Sequence, residues 1–487
     1  MQVKALDGQQ GTVRSIMTTT QAPLERPIVT EELLRRLDVN GPRYTSYPTA
    51  DRFVDAFGPD DYRQALDQRA EGAGVIGGAS PLSIYVHIPF CESLCYYCAC
   101  NKVITKHHER AAEYLDALEK EIDLHTARLG VGQAVSQLHF GGGSPTFLSD
   151  AELSRVMGAL RRAFRIAPGA ETSIEVDPRT VNHERLAHLA SLGFNRLSFG
   201  VQDFDPAVQQ AVHRVQSREM VASLMESARA LGFESTNVDL IYGLPRQTPE
   251  SLRRTVREVA ELRPERIALY SYAHLPQRFK PQRRIDAAAL PPAGDKVRML
   301  SEAIAGFVGH GYQYIGMDHF ALPGDALAAA KRQGRLHRNF QGYSTQPDCD
   351  LIGLGVSSIG RVGATYSQNA KTLAEYYDAV NRGAFPVVRG LALTREDLLR
   401  RAVIMAIMCQ GRLEFESIEL AHLIDFRRHF AAELEQLRSL EASGLVEIEP
   451  SAIQVTALGW YFIRSVAMVF DKYLQADRTR ERFSRII

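Results

Sequence analysis

The sequence predicts an α/β fold: a barrel or partial barrel of six β/α units, followed by a mainly helical domain. Three observations predict it. Short apolar runs alternate with helix-period segments from about Pro81 to Tyr272, the pattern of parallel strands joined by crossover helices. The 487 residues are enough for a barrel of roughly 250 residues and a smaller domain. Beyond about Leu373 the alternation stops and helical periodicity takes over.

Residues 83–87 read as a short buried strand, and a cysteine-rich loop follows. Residues 111–129 carry Leu115, Leu118 and Ile122 on one helical face. Residues 136–140 form the next strand, ending in Gly141, Gly142 and Gly143, and Ser149 or Asp150 can cap a helix running to about Phe164. The pattern continues with strands at 172–176, 196–200, 236–242 and 266–272 and helices at 183–192, 219–231 and 248–262. Right-handed crossovers would curl these strands together, and chemistry on such sheets gathers at their C-terminal ends. Helices are expected at 393–409, 415–423 and 430–442, then a hairpin from 444–448 and 453–456, then a last helix near Leu458. That order is winged-helix-like, and without a basic recognition helix it reads as packing rather than DNA binding.

Composition narrows the function classes. The hydrophobic fraction of 45% and charged fraction of 23% suit a soluble globular protein. Lys and Arg number 57 and so do Asp and Glu, so no global basic field points to nucleic acid. No apolar run approaches ~18 residues, so no membrane span is expected. The first 25 or so residues lack the apolar core of a secretory signal and read as a polar leader.

Four of the six cysteines lie within ten residues: Cys91, Cys95, Cys98 and Cys100. Clustered cysteines in a reduced compartment point to a metal site. A structural zinc site usually draws ligands from two separated knuckles, so this crowding suits an iron–sulfur cluster better. Ligation by Cys91, Cys95 and Cys98 leaves one iron open to bind a small molecule. Cys100 is awkwardly placed for the same cube and is read as a non-ligand. Cys349 and Cys409 are read as packed thiols.

Other candidates lie near the strand ends. Tyr97, between two cysteines, could pack on a flat heterocycle or simply pack. The glycine triplet lets backbone approach a ligand closely. Glu175 could accept hydrogen bonds from a ribose diol or an amine, or be a solvated acid. Gln202 and Asp203 follow the fourth strand. Asp239 lies inside an apolar strand, where a charge is costly unless paired. Arg214 could pair with a carboxylate, although a solvated helix-flanking charge is the commoner situation. His87 and His139 read as satisfied core histidines.

The Cys-x3-Cys-x2-Cys spacing with an aromatic before the last cysteine resembles the radical S-adenosylmethionine (SAM) superfamily. Within it, the chain resembles the oxygen-independent coproporphyrinogen III oxidase (coproporphyrinogen dehydrogenase) family. The resemblance is carried by Asn40-Gly-Pro-Arg43-Tyr44-Thr-Ser-Tyr47-Pro48-Thr-Ala50, the cysteine segment, Gly-Gly-Gly-Ser-Pro-Thr146, Ile-Glu-Val-Asp-Pro178, Gly-Val-Gln-Asp-Phe204, Asp239-Leu-Ile-Tyr-Gly-Leu-Pro245, Tyr272-Ala-His-Leu-Pro276, Gly316-Met-Asp-His-Phe320 and His337-Arg-Asn-Phe-Gln-Gly-Tyr343. It runs from about Asn40 to Ile487.

The resemblance implies a partial (β/α)6 barrel of radical SAM type at 81–373. Before it would come a leader at 1–35 and an N-terminal lid element at 36–80, and after it a helical domain at 374–487. It implies a [4Fe–4S] cluster on Cys91, Cys95 and Cys98 and two SAM molecules. Tyr85, Gly142, Glu175 and Ile359 match positions around the cluster-bound SAM. Tyr97, Gly143, Ser144, Gln202, Arg214, Asp239 and Ala273 match positions around the second. Ser144 stands where threonine is expected and keeps the hydroxyl. Reductive cleavage of SAM to a 5′-deoxyadenosyl radical would abstract hydrogen from a propionate β-carbon. Loss of carbon dioxide and one electron leaves a vinyl group. Done twice, this converts coproporphyrinogen III to protoporphyrinogen IX in anaerobic haem biosynthesis, and an exposed, oxygen-labile cluster corner suits a cytoplasmic chain. The family further suggests a monomer and an electron donor such as flavodoxin or ferredoxin. Arg43 could pair with a propionate, on charge alone.

Three rivals are weighed against it. A haem-carrying chaperone with the same barrel generally lacks the 40–50 element and Cys100, and both are present. A radical SAM enzyme acting on tRNA would predict a basic RNA module, which is absent from the sequence pattern. A zinc-stabilised binding protein would be colourless.

Overall fold

The computed structural model describes residues 31–37, 41–72, 80–346 and 348–476. The leader expected at 1–35 lies outside the described residues apart from the start of a short helix, Glu31–Leu37. So do 38–40 and 73–79 of the expected lid region and 477–487 at the C-terminus.

Six parallel strands form the centre: β1 Leu82–Ile88, β2 Gln133–Gly142, β3 Phe164–Val176, β4 Arg196–Gln202, β5 Ser235–Tyr242 and β6 Arg266–Ser271. Each pairs in parallel with the next, in chain order. Helices α1 Arg110–Leu129, α2 Asp150–Ala163, α3 His183–Ser191, α4 Arg218–Ala230 and α5 Pro249–Leu262 make the crossovers. β1 is buried along almost its whole length, as a strand covered on both faces should be. Ser149, not Asp150, caps α2: its hydroxyl accepts from the Glu152 amide while the Glu152 carboxylate accepts from the Ser149 amide.

The sheet is larger than the six strands expected. Six further strands extend it: β7 Gln313–Gly316, β8 His319–Ala321, β9 Leu351–Leu354, β10 Ile359–Val362, β11 Thr365–Asn369 and β12 Val387–Ala392. The order across the sheet is β12-β11-β10-β9-β1-β2-β3-β4-β5-β6-β8-β7. β9 is a seventh parallel strand, lying beside β1, and the other additions are antiparallel. The additions are short or carry polar residues such as Ser367, Gln368 and Asn369, so periodicity alone does not mark them. β3 begins at Phe164, directly where α2 ends, eight residues earlier than its apolar core at 172–176 suggests.

The C-terminal region has its own core. The helix Arg395–Gln410 supplies Leu399, Val403, Ile404, Ile407 and Met408. Phe415 stacks on Phe426 with ring centroids 4.3 Å apart. The hairpin is the outer part of a three-stranded sheet, with Arg412–Glu414 pairing on Ala452–Val455 and that strand on Val446–Ile448. The last helical stretch begins as the 3-10 turn Gly459–Phe462, and the α-helix Ile463–Met468 follows. Tyr44 and Tyr47 of the N-terminal segment are fully buried in this same core. The Tyr44 hydroxyl donates to Asp471 at 2.9 Å, and the Arg464 guanidinium donates to the Gly41 carbonyl. The segment is therefore wedged between the barrel and the C-terminal domain.

One polar network ties α1 to the barrel mouth. Fully buried Glu121 accepts from the Gly355 amide at 2.7 Å, the Tyr376 hydroxyl at 2.7 Å and the Asn369 amide at 2.6 Å. Next to it the Tyr114 hydroxyl donates to the His87 carbonyl at 2.6 Å and accepts from the Val356 amide at 3.1 Å. The turn after β9 is thus fastened to the end of β1. Burial pushes Glu121 up from 4.5 to about 7, against the pull of its three donors. The folded chain then holds this proton more tightly than the unfolded chain does. The stability it contributes is complete below pH 4.5 and lost as pH rises through about 7. Wild-type melting temperature should fall between pH 5 and pH 8, and Glu121→Gln should flatten that dependence by up to about 3 kcal/mol. An unchanged slope in the variant would assign the proton elsewhere.

Candidate active site

The cysteine loop leaves β1 and runs along the C-terminal ends of the strands. Cys91 lies on a two-residue strand, Phe90–Cys91, paired in parallel with Val103–Ile104. Cys91, Cys95 and Cys98 all line one cavity of about 340 Å³, which Gly142, Gly143, Glu175 and Asp239 also line. Burial, then Cys98 and Cys95, push the Cys91 thiol up to about 12. A hydrogen bond from Cys100 draws Cys98 down to about 6, with Lys102 adding to it against burial. Three soft sulfur donors lining one cavity fit a cationic iron–sulfur guest. The cavity leaves room beside them for a second ligand.

Backbone contacts set the distance between this loop and β2. The Gly143 amide donates to the Ile88 carbonyl at 2.8 Å and the Ser144 amide to the Phe90 carbonyl at 2.8 Å. A Cβ on Gly143 would stand 2.7 Å from the Pro89 carbonyl oxygen. Gly142 has φ 113°, and a Cβ there would lie 2.6 Å from the His87 ring. The Gly142 amide donates to Glu175 at 3.2 Å, which holds that carboxylate at the cavity wall. His139 reaches Glu175 at 3.5 Å and Ser173 at 2.6 Å.

Three charged residues surround Cys95: Arg214, Arg179 and Asp177. Arg214 is 7% exposed and bonds Cys95 Sγ at 3.5 Å, Asp177 at 3.2 Å and the Gly200 carbonyl at 2.7 Å. Arg179 donates to Asp177 at 2.7 Å and to Cys95 Sγ at 3.8 Å. Burial pulls Asp177 upward, and the two guanidinium groups outweigh it and hold it low. Arg214 is thus a buried, paired group and not a solvated flank. Arg179 escapes sequence reasoning. Its signal is the turn Pro178–Thr180, capped by Asp177, which folds Arg179 back on its own cap.

The remaining candidates divide. Gln202 follows a register shift in β4, adopts φ 69° and lines the cavity. Asp239 accepts from Ser198 and Asn237, each at 2.8 Å, and burial raises it to about 6. Tyr97, Glu175, Ser198, Gln202 and Asp239 line both this cavity and a second one of about 350 Å³ inside the barrel. Asp203 is 1% exposed and turned away from the cavity, bonded to Thr255 and Gln247. Tyr85, Ile359 and Ala273 line neither cavity. Tyr85 bonds His87 at 3.1 Å and stacks on His139, Ile359 begins β10, and the Ala273 carbonyl accepts from Gln282. Arg43 pairs with Asp318 and lies 5.2 Å from the Tyr270 ring centroid. Cys349 and Cys409 are buried. Gly143→Ala should cost about 1–3 kcal/mol in a denaturant melt and lower bound iron after anaerobic reconstitution. Normal iron and stability would mean that the contact is slack.

Residues 85–259 match the radical SAM superfamily model, and residues 393–462 match the HemN C-terminal domain model. The oxygen-independent coproporphyrinogen III oxidase of Escherichia coli is 50% identical over 93% of this chain and 98% of its own length. The enzyme of that name from Pseudomonas aeruginosa is 48% identical over 94% and 98%. The one from Helicobacter pylori is 42% identical over 92% and 97%. The solved structure of the E. coli protein, described as a radical SAM enzyme, superposes with a TM-score of 0.85 over 89% of this chain and 98% of that one. The chain belongs to the oxygen-independent coproporphyrinogen III oxidase family of radical SAM enzymes.

Proposed function

We infer that the chain catalyses oxidative decarboxylation of two propionates of coproporphyrinogen III to vinyl groups, giving protoporphyrinogen IX without oxygen. The observation that carries this is three cysteines opening into one cavity that joins, through Glu175 and Asp239, a second cavity inside the barrel. Cys91, Cys95 and Cys98 would hold the [4Fe–4S] cluster. The cluster with SAM supplies one-electron chemistry able to remove a hydrogen atom from an unactivated carbon.

The residues of this chain position and insulate that chemistry. Arg179 and Arg214 offset negative charge at Cys95 and donate to its sulfur, which favours accepting an electron there. Glu175 is set to receive an amine or a ribose hydroxyl, and the Gly142–Gly143 backbone lets a ligand lie against the loop. Tyr97, Gln202 and Asp239 sit where the two cavities meet, which supports a second SAM there, with Ser144 and Arg214 on the cysteine side. Tyr85, Ile359 and Ala273 would act through the residues they support. The wedged 41–50 segment contributes Thr45 to a recess next to the barrel cavity and helps keep water out. We place the chain in the cytoplasm as a monomer served by a flavodoxin or ferredoxin. Among the described residues no helix is long and apolar enough to cross a membrane.

Anaerobic reconstituted protein with SAM, reductant and coproporphyrinogen III should release two molecules of carbon dioxide per protoporphyrinogen, read by product mass. Haem binding without vinyl formation would instead indicate a chaperone. Cys95→Ser should lose cluster absorbance and turnover together, and a normally active variant would remove Cys95 from the ligand set. Equilibrium dialysis should count two SAM per chain in the wild type and one in Asp239→Leu. A wild-type count of one would end the second-site assignment.

A further inference from the structure

The motif His337–Tyr343 carries an arginine that lies outside the cysteine cavity. Arg338 is 5% exposed and sits on a short strand, His337–Asn339, paired with Gly342–Ser344. Its Nε donates to the Arg43 carbonyl at 3.2 Å, and its guanidinium lies 4.6 Å from the Tyr343 ring centroid. Its Nη1 is buried with no hydrogen-bond partner, and among the described residues it has no ion pair. A neighbouring aromatic face only partly replaces lost hydration, so a buried guanidinium without a counter-ion is costly.

The surroundings are cationic. Arg338 lines a recess of about 20 Å³ together with Arg361 and Arg401, and Asp348 neutralises only part of that charge. Arg43 lies close by and is already paired with Asp318. His319, on the barrel side, is held neutral first by burial and then by Arg338, Arg43 and Arg266. The recess has room for one small group, about the size of a water or a carboxylate head. It shares Gln137, Asn339 and Ser344 with the barrel cavity and no lining residue with the cysteine cavity. The three spaces therefore lie in series, and Arg338 is at the far end from the cysteines.

We propose that Arg338 anchors a propionate carboxylate of the bound tetrapyrrole, one other than the propionate presented to the cysteine cavity. This rests on the function inferred above. Arg338 supplies the unpaired cation and the free donor. Its pairing with one carboxylate fixes which edge of the macrocycle faces Glu175 and Asp239, so it sets orientation as well as affinity.

The test uses the full-length reconstituted protein, with fluorescence titration of coproporphyrin III and of its uncharged tetramethyl ester. Arg338→Met should weaken coproporphyrin III binding by about 10–100-fold and leave ester binding unchanged. Arg338→Lys, which keeps the charge but not the fork, should recover part of the loss and guards against misfolding. Equal weakening of acid and ester, or no weakening of either, would overturn the anchor while leaving the function intact. If wild-type protein bound neither coproporphyrin III nor, under anaerobic conditions, coproporphyrinogen III, the functional reading itself would fall, and the anchor with it.

Discussion

The site depends on one close approach of backbone to backbone. The glycine exit of β2 lies so near the cysteine loop that two amides bond its carbonyls at 2.8 Å, and no side chain fits between them. This contact turns a loop that could flex into an extension of the sheet. The thiols then inherit the rigidity of two central strands. The Glu121 network does the same from the other side, fastening the turn after β9 to the end of β1. Rigid elements hold ligand geometry better than free loops do, and a cluster with an open iron needs that geometry.

Charge is the second constraint. Asp177 and the Cys95 sulfur lie against Arg214 and Arg179 in a largely buried setting, so one carboxylate faces two guanidinium groups beside that sulfur. Removing Asp177 would leave both guanidinium groups without their carboxylate. The recess at Arg338 shows the opposite condition, a buried cation still lacking its anion. One end of the connected cavities sets guanidinium donors against a cysteine sulfur, and the other is ready for an acidic guest.

How much was legible in advance varied by the kind of signal. The β/α alternation and the cysteine spacing are local patterns, and the structure and its relatives agree with the fold and family they indicate. Strands such as β9 and β10 were not legible, because a four-residue strand takes its identity from the neighbour it pairs with. Arg214 looked like a solvated charge because sequence cannot show that Asp177 and Cys95 come to meet it across 37 and 119 residues. The pairing of Arg43 with Asp318, 275 residues away, is likewise invisible in the sequence.

The class of chemistry and the architecture that carries it are written in residue type and short-range periodicity, so residue order alone conveys them. Which charges are buried, which are paired and which cavities connect emerges from the folded chain. Those outcomes come from long-range packing, where the cost of desolvating each charge is met or left unmet by a partner far away in the chain.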